Sequence, residues 1–138
     1  MINYLFSKVV VDFIKVHIRE FNMQHLEENE NLEFTREFVC STGELKPKKK
    51  ASYKNLVFTL YDSGLLIIQG SIHKYKNDGI HNYDDFSLNQ IVEVLDEISI
   101  KFNLPLNKCR LRNFEVGVNI NPQKKAETIL IILFSIKD

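Results

Sequence analysis

The residues best suited to chemistry lie together in one short stretch, GSIHKYKNDGIHNYDDF, which runs from Gly70 to Phe86. It holds two of the four histidines of the chain, together with two tyrosines and three aspartates. It follows an apolar run typical of a β-strand and precedes a run typical of a helix, and functional side chains are common on such connections. The stretch is therefore the first candidate for a metal site, a catalytic centre or a binding surface.

A metal site here would use imidazole and carboxylate ligands. His73 and His81 flank a glycine-containing turn, and Glu115 lies on the polar side of a later predicted strand. Two imidazoles and a carboxylate suit a divalent ion, which can polarise a phosphate group. Their spacing matches no recognised ligand signature, and local hydrogen bonding of the two histidines accounts for the pattern better. We expect no cofactor, with these three residues as the candidate ligands if a divalent ion binds.

Nucleophilic catalysis is not indicated by the residue pattern. No Ser/His/Asp or Cys/His arrangement can be argued, and no glycine-rich phosphate-binding motif is present. Tyr75 or Tyr83 could attack a metal-activated phosphate, but nothing in the sequence singles out either one. We therefore predict no catalytic residue.

Contact with nucleic acid, or with a protein partner, is the other hypothesis for the stretch. Cations bind phosphates and aromatic faces stack on unpaired bases, and the stretch mixes both with amides. A connection held between a strand and a helix can present such groups at little ordering cost. The predicted contact surface comprises Lys74, Tyr75, Lys76, His81, Asn82 and Tyr83, with Lys48, Lys49 and Lys50 as a flanking patch. The alternative is a solvated loop whose tyrosines pack against the core.

Hydrophobic periodicity predicts the elements that position this stretch. The run SKVVVDFIKVHIRE is typical of a strand with one apolar side. The run NLVFTLYDSGLLIIQGSIHKY predicts a β-hairpin over 54–75, with its reversal at YDSG. The clearest helix is predicted over 87–103, and a further strand over 110–120. Ser87 and Gln90 form a capping-box pattern at the helix start, and Leu95 lies in its apolar stripe, which we expect to be buried.

Three other segments have weaker patterns. The acidic run EFNMQHLEENENLEF predicts a loop with a short helix, and ELKPKKKASYKN predicts a connector broken by Pro47. The run QKKAETILIILFSIKD favours a helix, with a buried strand as the alternative. The order of elements predicts one domain over 1–138 of the α+β class, with a mostly antiparallel sheet and a helix packed on one face.

Composition and charge describe an ordinary soluble chain rather than a strongly basic nucleic-acid binder. The 138 residues are 44% hydrophobic and 26% charged, and the net charge is zero at neutral pH. The zero conceals an asymmetry, because glutamates crowd residues 20–37 and lysines crowd residues 46–54. A local patch can therefore exist without a global excess.

The compartment is predicted from cysteine usage and from the lack of targeting signals. Cys40 and Cys109 are far apart and have no companion ligands at metal spacing. The first residues lack a secretory pattern, and no apolar run reaches the ~20 residues that span a bilayer. We expect a cytoplasmic protein with reduced thiols and no membrane partner.

The stretch, the helix after it and the run LRNFEVGVNINP together resemble the N-terminal half of phage and plasmid rolling-circle replication initiation proteins, a family of mobile elements. In that family a strand ends in Gly-Ser-hydrophobe-His-Lys-Tyr, a His-Asn pair and a Phe follow, and a later strand reads Leu-x-Asn-hydrophobe-Glu-hydrophobe-Gly-Val-Asn. The resemblance covers about residues 56 to 122. The matching positions are Gly70, Ser71, His73, Lys74, Tyr75, His81, Asn82, Phe86, Leu111, Asn113, Glu115, Gly117, Val118 and Asn119.

The resemblance implies DNA handling at a replication origin, with tyrosine-dependent nicking as the family chemistry. The paired His-hydrophobe-His motif of such nickases is absent, since Lys74 and Tyr75 follow His73. Family members also carry a further domain downstream, where the rest of the active site is expected. We therefore expect a non-catalytic binding protein that grips nucleic acid or a host nucleoprotein, including as an inhibitor of a host defence nuclease such as an anti-CRISPR. The alternative is a metal-dependent nicking initiator or its N-terminal fragment.

Overall fold

A computed structural model describes residues 7–119, which form one six-stranded antiparallel sheet with three short-to-medium helices. The strands are β1 (Ser7–Ile18), β2 (Thr35–Phe38), β3 (Leu45–Tyr53), β4 (Leu56–Tyr61), β5 (Leu66–Ser71) and β6 (Cys109–Asn119). Their order across the sheet is β2-β3-β4-β5-β1-β6. The helices are α1 (Met23–Glu27), α2 (Ile72–Lys76) and α3 (Leu88–Lys101), and a 3-10 turn covers Leu106–Lys108.

The predicted α+β class is confirmed by this arrangement. The hairpin strands β4 and β5 reverse at the YDSG turn, where the Gly64 N–H donates to the Tyr61 carbonyl. They share one sheet with β6, which confirms the strand predicted over 110–120 as far as residue 119. The segment QKKAETILIILFSIKD lies outside the described residues.

The hydrophobic core lies on one side of the sheet. Cross-strand pairing aligns Ala51, Phe58, Ile68, Val16 and Leu111 in one row, and paired residues share a face. Phe58 and Ile68 are buried at the centre of this row. The buried side chains of all three helices, among them Leu26, Ile72 and Ile98, belong to the same core cluster. Within residues 7–119 the helices therefore pack on one face and leave the other open.

Helix α3 begins with the predicted capping box. The Ser87 hydroxyl accepts a hydrogen bond from the Gln90 N–H, and the Gln90 side chain accepts one from the Ser87 N–H. The expected burial of Leu95 is wrong, because that side chain is 37% exposed. Val94 and Ile98 are the buried positions of the helix. The apolar stripe is wider than the face that contacts the core, so one of its edges stays uncovered.

Two other predicted boundaries differ from the structure. The lysine-rich run predicted as a connector is β3, which pairs with β2 on one side and β4 on the other. Pro47 has no cross-strand partner in either pairing, so its missing N–H leaves no ladder hydrogen bond unmade. The predicted hairpin also ends early, because β5 stops at Ser71. The Ser71 hydroxyl accepts a hydrogen bond from the Lys74 N–H and begins α2 instead.

None of the helices within residues 7–119 combines the length and apolar character that crossing a bilayer requires.

Candidate nucleic-acid interface

The stretch from Gly70 to Phe86 folds around one carboxylate. Asp84 Oδ1 lies 2.7 Å from His73 Nε2 and accepts a hydrogen bond from Asn77 Nδ2 at 2.7 Å. Its other oxygen accepts from Lys76 Nζ at 2.9 Å. The hydrogen bond from Lys76, supported by those from Asn77 and His73, holds the pKa of Asp84 well below its ordinary value. The stretch is thus tied together by bonds within itself.

The two residues that could have served chemistry best are in the core. His73 is 1% exposed and its ring stacks on Phe86, with ring centroids 4.7 Å apart. Tyr75 is fully buried, and its hydroxyl bonds to the Glu97 carboxylate at 2.9 Å. Burial, together with this hydrogen bond, raises the pKa of Tyr75 far above its ordinary range. A tyrosine held this way presents no hydroxyl to a phosphate at the surface.

The other members of the predicted contact surface keep partial access to solvent. Asn82 Nδ2 donates to Asp12 at 3.0 Å, and Asn77 Nδ2 donates to the His81 carbonyl at 3.1 Å. The ring of Tyr83 is 78% exposed and stacks on His81, with centroids 4.1 Å apart. Lys76 also donates to the Asp85 carbonyl. Most polar groups of the loop therefore form hydrogen bonds that fix the loop's own conformation. The role of the loop as a contact surface stays a prediction.

The three candidate metal ligands are not brought together. His73 and His81 both face Asp84, at 2.7 and 3.7 Å, whereas Glu115 belongs to β6 and pairs with Phe13 of β1. No group of three or more His, Cys, Asp or Glu side chains suited to a metal ion occurs in the part of the chain that the structure describes.

The flanking lysines lie on opposite sides of β3. Lys49 points to the helical side and forms an ion pair with Glu27 at 2.8 Å. Lys48 and Lys50 alternate with it and lie on the open face, where Lys50 Nζ is 3.9 Å from Glu37. Glutamates of the acidic segment 20–37 therefore partly neutralise the lysine run.

The open face of the sheet carries a second set of cations, and fewer of them form ion pairs with carboxylates within residues 7–119 than in the lysine run. One row across it, offset by one residue from the core row, consists of Lys50, Thr59, Ile67, His17 and Arg110. The next row contains Ser52, Val57, Gln69, Lys15 and Asn113. Five strands at ~4.8 Å spacing make this face about 19 Å wide from β3 to β6.

A cleft of about 240 Å³ lies at the β1–β6 end of this face. A bulge on β6 lies between the pairs that join Lys15 to Asn113 and Val16 to Leu111, and it accommodates Arg112. No carboxylate pairs with Arg19, Arg110 or Arg112 within the described residues, and Lys108 Nζ donates to the Glu20 backbone carbonyl rather than its side chain. We call this the arginine cleft; its lining comprises His17, Arg19, Glu20, Asn107, Lys108, Arg110 and Arg112.

His17 lies between these cations and the sheet. Its Nε2 atom is buried and has no hydrogen-bond partner within residues 7–119. Burial lowers the pKa of His17, and the charges of Arg112, Lys15 and Arg19 lower it further. The lowered pKa favours the neutral imidazole at pH 7.

Sequence reasoning missed the arginine cleft. Its members come from the end of β1 and the two residues after it, and from the 3-10 turn and β6, which lie about 90 residues further along the chain. Alternation alone put Lys15, His17 and Arg19 on one side of the first strand. The alternating Arg110 and Arg112 in CRLRN was the second available signal, but only the β1–β6 register shows that the two sets meet.

Comparison with known proteins identified no relative of this chain. No family model, curated protein or solved structure gives a significant match to this chain.

Proposed function

We propose that this protein binds single-stranded nucleic acid on the open face of its sheet, without cleaving it. The observation that carries the proposal is the arginine cleft, in which three arginines have no carboxylate partner within residues 7–119. Arginine presents planar donors that match phosphate oxygens, and clustered cations release counterions when they neutralise phosphates. The proposal keeps the binding role that the resemblance to initiators implies and moves it from the loop to the sheet.

The shape of the face favours a single strand over a duplex. A sheet surface presents side chains along a shallow track rather than as a ridge that enters a groove, and aromatic rings on such a track can stack on bases. Phe13 and Tyr61 lie on this face, since Phe13 alternates with Lys15 and Tyr61 pairs with Lys48. Both rings are half-buried, so their exposed parts are held in place by packing.

Nicking is not part of the proposal because of Tyr75. Its hydroxyl is buried against Glu97, which leaves the tyrosine of the resembling motif without access to a backbone phosphate. On this proposal, a host nucleoprotein would be gripped through its nucleic acid, which would bind to the open face. Inhibition of a host defence nuclease would use the same contact.

The experiment that tests the proposal is titration of a labelled oligonucleotide by fluorescence anisotropy at several salt concentrations. Single-stranded DNA, single-stranded RNA and a duplex of the same sequence are compared. We expect binding to at least one single strand to exceed binding to the duplex, with log K falling linearly with log salt. A triple variant, Arg19→Ala with Arg110→Ala and Arg112→Ala, should flatten the slope by about 2, at roughly 0.7 for each phosphate that is no longer neutralised.

The matched control changes three cationic or titratable groups in the loop instead: Lys74→Ala with Lys76→Ala and His81→Ala. This triple should keep the salt slope of the wild type. If the loop triple loses binding and the cleft triple keeps it, the interface is the loop. Absence of binding to every oligonucleotide at low salt refutes the proposal.

A further inference from the structure

The arginine cleft lies where the pairing of β1 with β6 ends. The last paired residues are Ile18 and Cys109, and Glu20 and Lys108 lie just beyond them along the chain. Lys108 Nζ donates a hydrogen bond to the Glu20 carbonyl at 2.7 Å. This bond joins the two segments beyond the edge of the sheet. A side chain therefore crosses the outer end of the cleft, whereas the end near Arg112 meets the open face.

The cleft is small for a nucleic-acid site. It encloses about 240 Å³. Pockets that enclose a drug-sized ligand have volumes of ~300–1,000 Å³. A single phosphate group fits into the cleft, whereas a run of several nucleotides exceeds it. The cations around it therefore act on one phosphate group rather than on a length of backbone.

The charge of the cleft exceeds what one backbone phosphate brings. Its lining contains the cations Arg19, Arg110, Arg112 and Lys108, and Glu20 is the one carboxylate that the described residues add to it. A backbone phosphodiester carries one negative charge, whereas a phosphate monoester carries about 1.5–2 at pH 7 and has three free oxygens. The planar fork of arginine can bind two such oxygens at once. A monoester therefore matches this set of cations better than one link of a backbone does.

We propose that the arginine cleft holds the terminal phosphate monoester of the bound strand, a role that rests on the single-strand binding proposed above. A strand that passes through a groove needs two open ends, and Lys108 crosses one end of this cleft. A strand that ends in the cleft needs only the other. Its remaining phosphates would continue over the open face towards Lys15, which lies in the row next to that of His17 and Arg110.

The test compares four single strands of one sequence, each with an internal fluorescent label, by anisotropy with the full wild-type chain at pH 7.5. One is linear with hydroxyl ends, one has a 5′-phosphate, one has a 3′-phosphate and one is circular. We expect one of the two end phosphates to raise the affinity about tenfold over the hydroxyl-ended strand, which corresponds to about 1.4 kcal/mol. The other should change it little, because both add the same charge but only one end fits. The circular strand should bind like the hydroxyl-ended strand.

The outcomes distinguish end recognition from single-strand binding itself. Equal affinity for all four strands, or an equal gain from either end phosphate, would refute end recognition and leave single-strand binding intact. Tighter binding of the circular strand than of the hydroxyl-ended strand would do the same. Absence of binding to every strand refutes both proposals. If an equal concentration of nucleoside monophosphate displaces the phosphorylated strand, the cleft takes a free nucleotide and the assignment to a strand end is wrong.

Two double variants locate the preference on the sheet. Arg110→Gln with Arg112→Gln should bring the affinity for the phosphorylated strand down to that for the hydroxyl-ended strand. Lys48→Ala with Lys50→Ala, at the β3 end of the same face, should weaken both strands by the same factor and keep their ratio. A preference that survives the arginine changes, or that disappears with the lysine changes alone, would contradict the proposal. Because the four-strand comparison uses the wild-type chain, a variant that fails to fold leaves it unaffected.

Discussion

Asp84 organises the loop between β5 and α3, since three side chains from α2 and the turn after it donate to its two oxygens. One donor, His73, is 1% exposed, so the carboxylate satisfies a group that water cannot reach. A buried donor left without an acceptor costs the full desolvation of that group. Lys76 and Asn77 are therefore already hydrogen-bonded within the loop before any ligand binds.

Replacing Asp84 should test this role directly. We expect Asp84→Ala to lower the free energy of unfolding by about 1.5–3 kcal/mol, the range for hydrogen bonds to a charged group. Asp78→Asn is the matched control, because Asp78 is 78% exposed in its ion pair with Lys54 and asparagine tolerates its φ of +56°, so the change should cost less than about 1 kcal/mol. Urea denaturation at pH 7 measures both, and equal effects would show that Asp84 is an ordinary surface carboxylate.

The same carboxylate should make stability depend on pH. The pKa of Asp84 is lower in the folded chain than in the unfolded chain, so its contribution is complete above the unfolded pKa of about 3.9. That contribution is lost as the pH falls from there towards the folded-state pKa. The stability difference between wild type and Asp84→Asn should therefore shrink between pH 6 and pH 3. A difference that stays constant over this range would contradict the ionised network.

His17 should couple nucleic-acid binding to pH in the opposite direction. Burial and the nearby cations Arg112, Lys15 and Arg19 lower its pKa below 6.5, and a bound phosphate would oppose that shift. Arg110, Lys108 and Glu20 also line the cleft. We expect affinity to rise as the pH falls from 7.5 to 5.5, and His17→Gln to remove most of the rise. Equal pH dependence in both proteins would exclude His17.

At the scale of elements, the junction between β5 and α2 depends on a residue without a side chain. Gly70 has a φ of +154°, and a Cβ atom there would lie 2.5 Å from the Asn55 carbonyl oxygen. Asn55 Nδ2 meanwhile donates to the Ser71 carbonyl, so the β3–β4 turn and the start of α2 are packed against each other. A side chain at this position forces two backbones apart.

Gly70→Ala should consequently destabilise the fold by about 1–3 kcal/mol, the usual cost of overpacking. Gly117→Ala provides the comparison within the same sheet, because its nearest neighbour would be 3.9 Å away and its backbone needs no unusual φ. Thermal unfolding followed by circular dichroism distinguishes them. A Gly70→Ala protein that melts with the wild type would mean that the two backbones can separate at little cost.

At the scale of the whole molecule, the sheet separates two chemistries. The helical side holds the core and the buried Tyr75, whereas the open side holds the arginine cleft and the lysines Lys48 and Lys50 of β3. The motif that resembles replication initiators therefore lies on the core side of the sheet, and the three arginines of the cleft lie on the other side.

This separation leads to a prediction about cleavage. Incubation of the protein with supercoiled origin plasmid and Mg²⁺ or Mn²⁺ should leave the plasmid supercoiled, because the Tyr75 hydroxyl is buried against Glu97. Gel electrophoresis gives the answer. Metal-dependent conversion to open circles that disappears in Tyr75→Phe would contradict the binding function and favour an initiator.

Local signals in the sequence were sufficient for several elements. Ser87 and Gln90 predicted the start of α3, the YDSG turn predicted the β4–β5 hairpin, and alternation predicted β1 and β6. These succeeded because capping, turn formation and side-chain alternation depend on residues a few positions apart. The α+β class followed from the order of these elements.

Only the tertiary structure determined on which face of the sheet each side chain lies. Pairing with β2 and β4 makes the segment around Pro47 a strand. Because β5 ends at Ser71, Tyr75 lies in α2 and points into the core. The β1–β6 register brings His17 beside Arg110. Arg110 lies 93 positions after His17 along the chain, and a shift of one residue in the β1–β6 register would have placed the same side chains on the opposite face. Residue types supplied the cations and aromatic rings, and long-range pairing decided which of them meet.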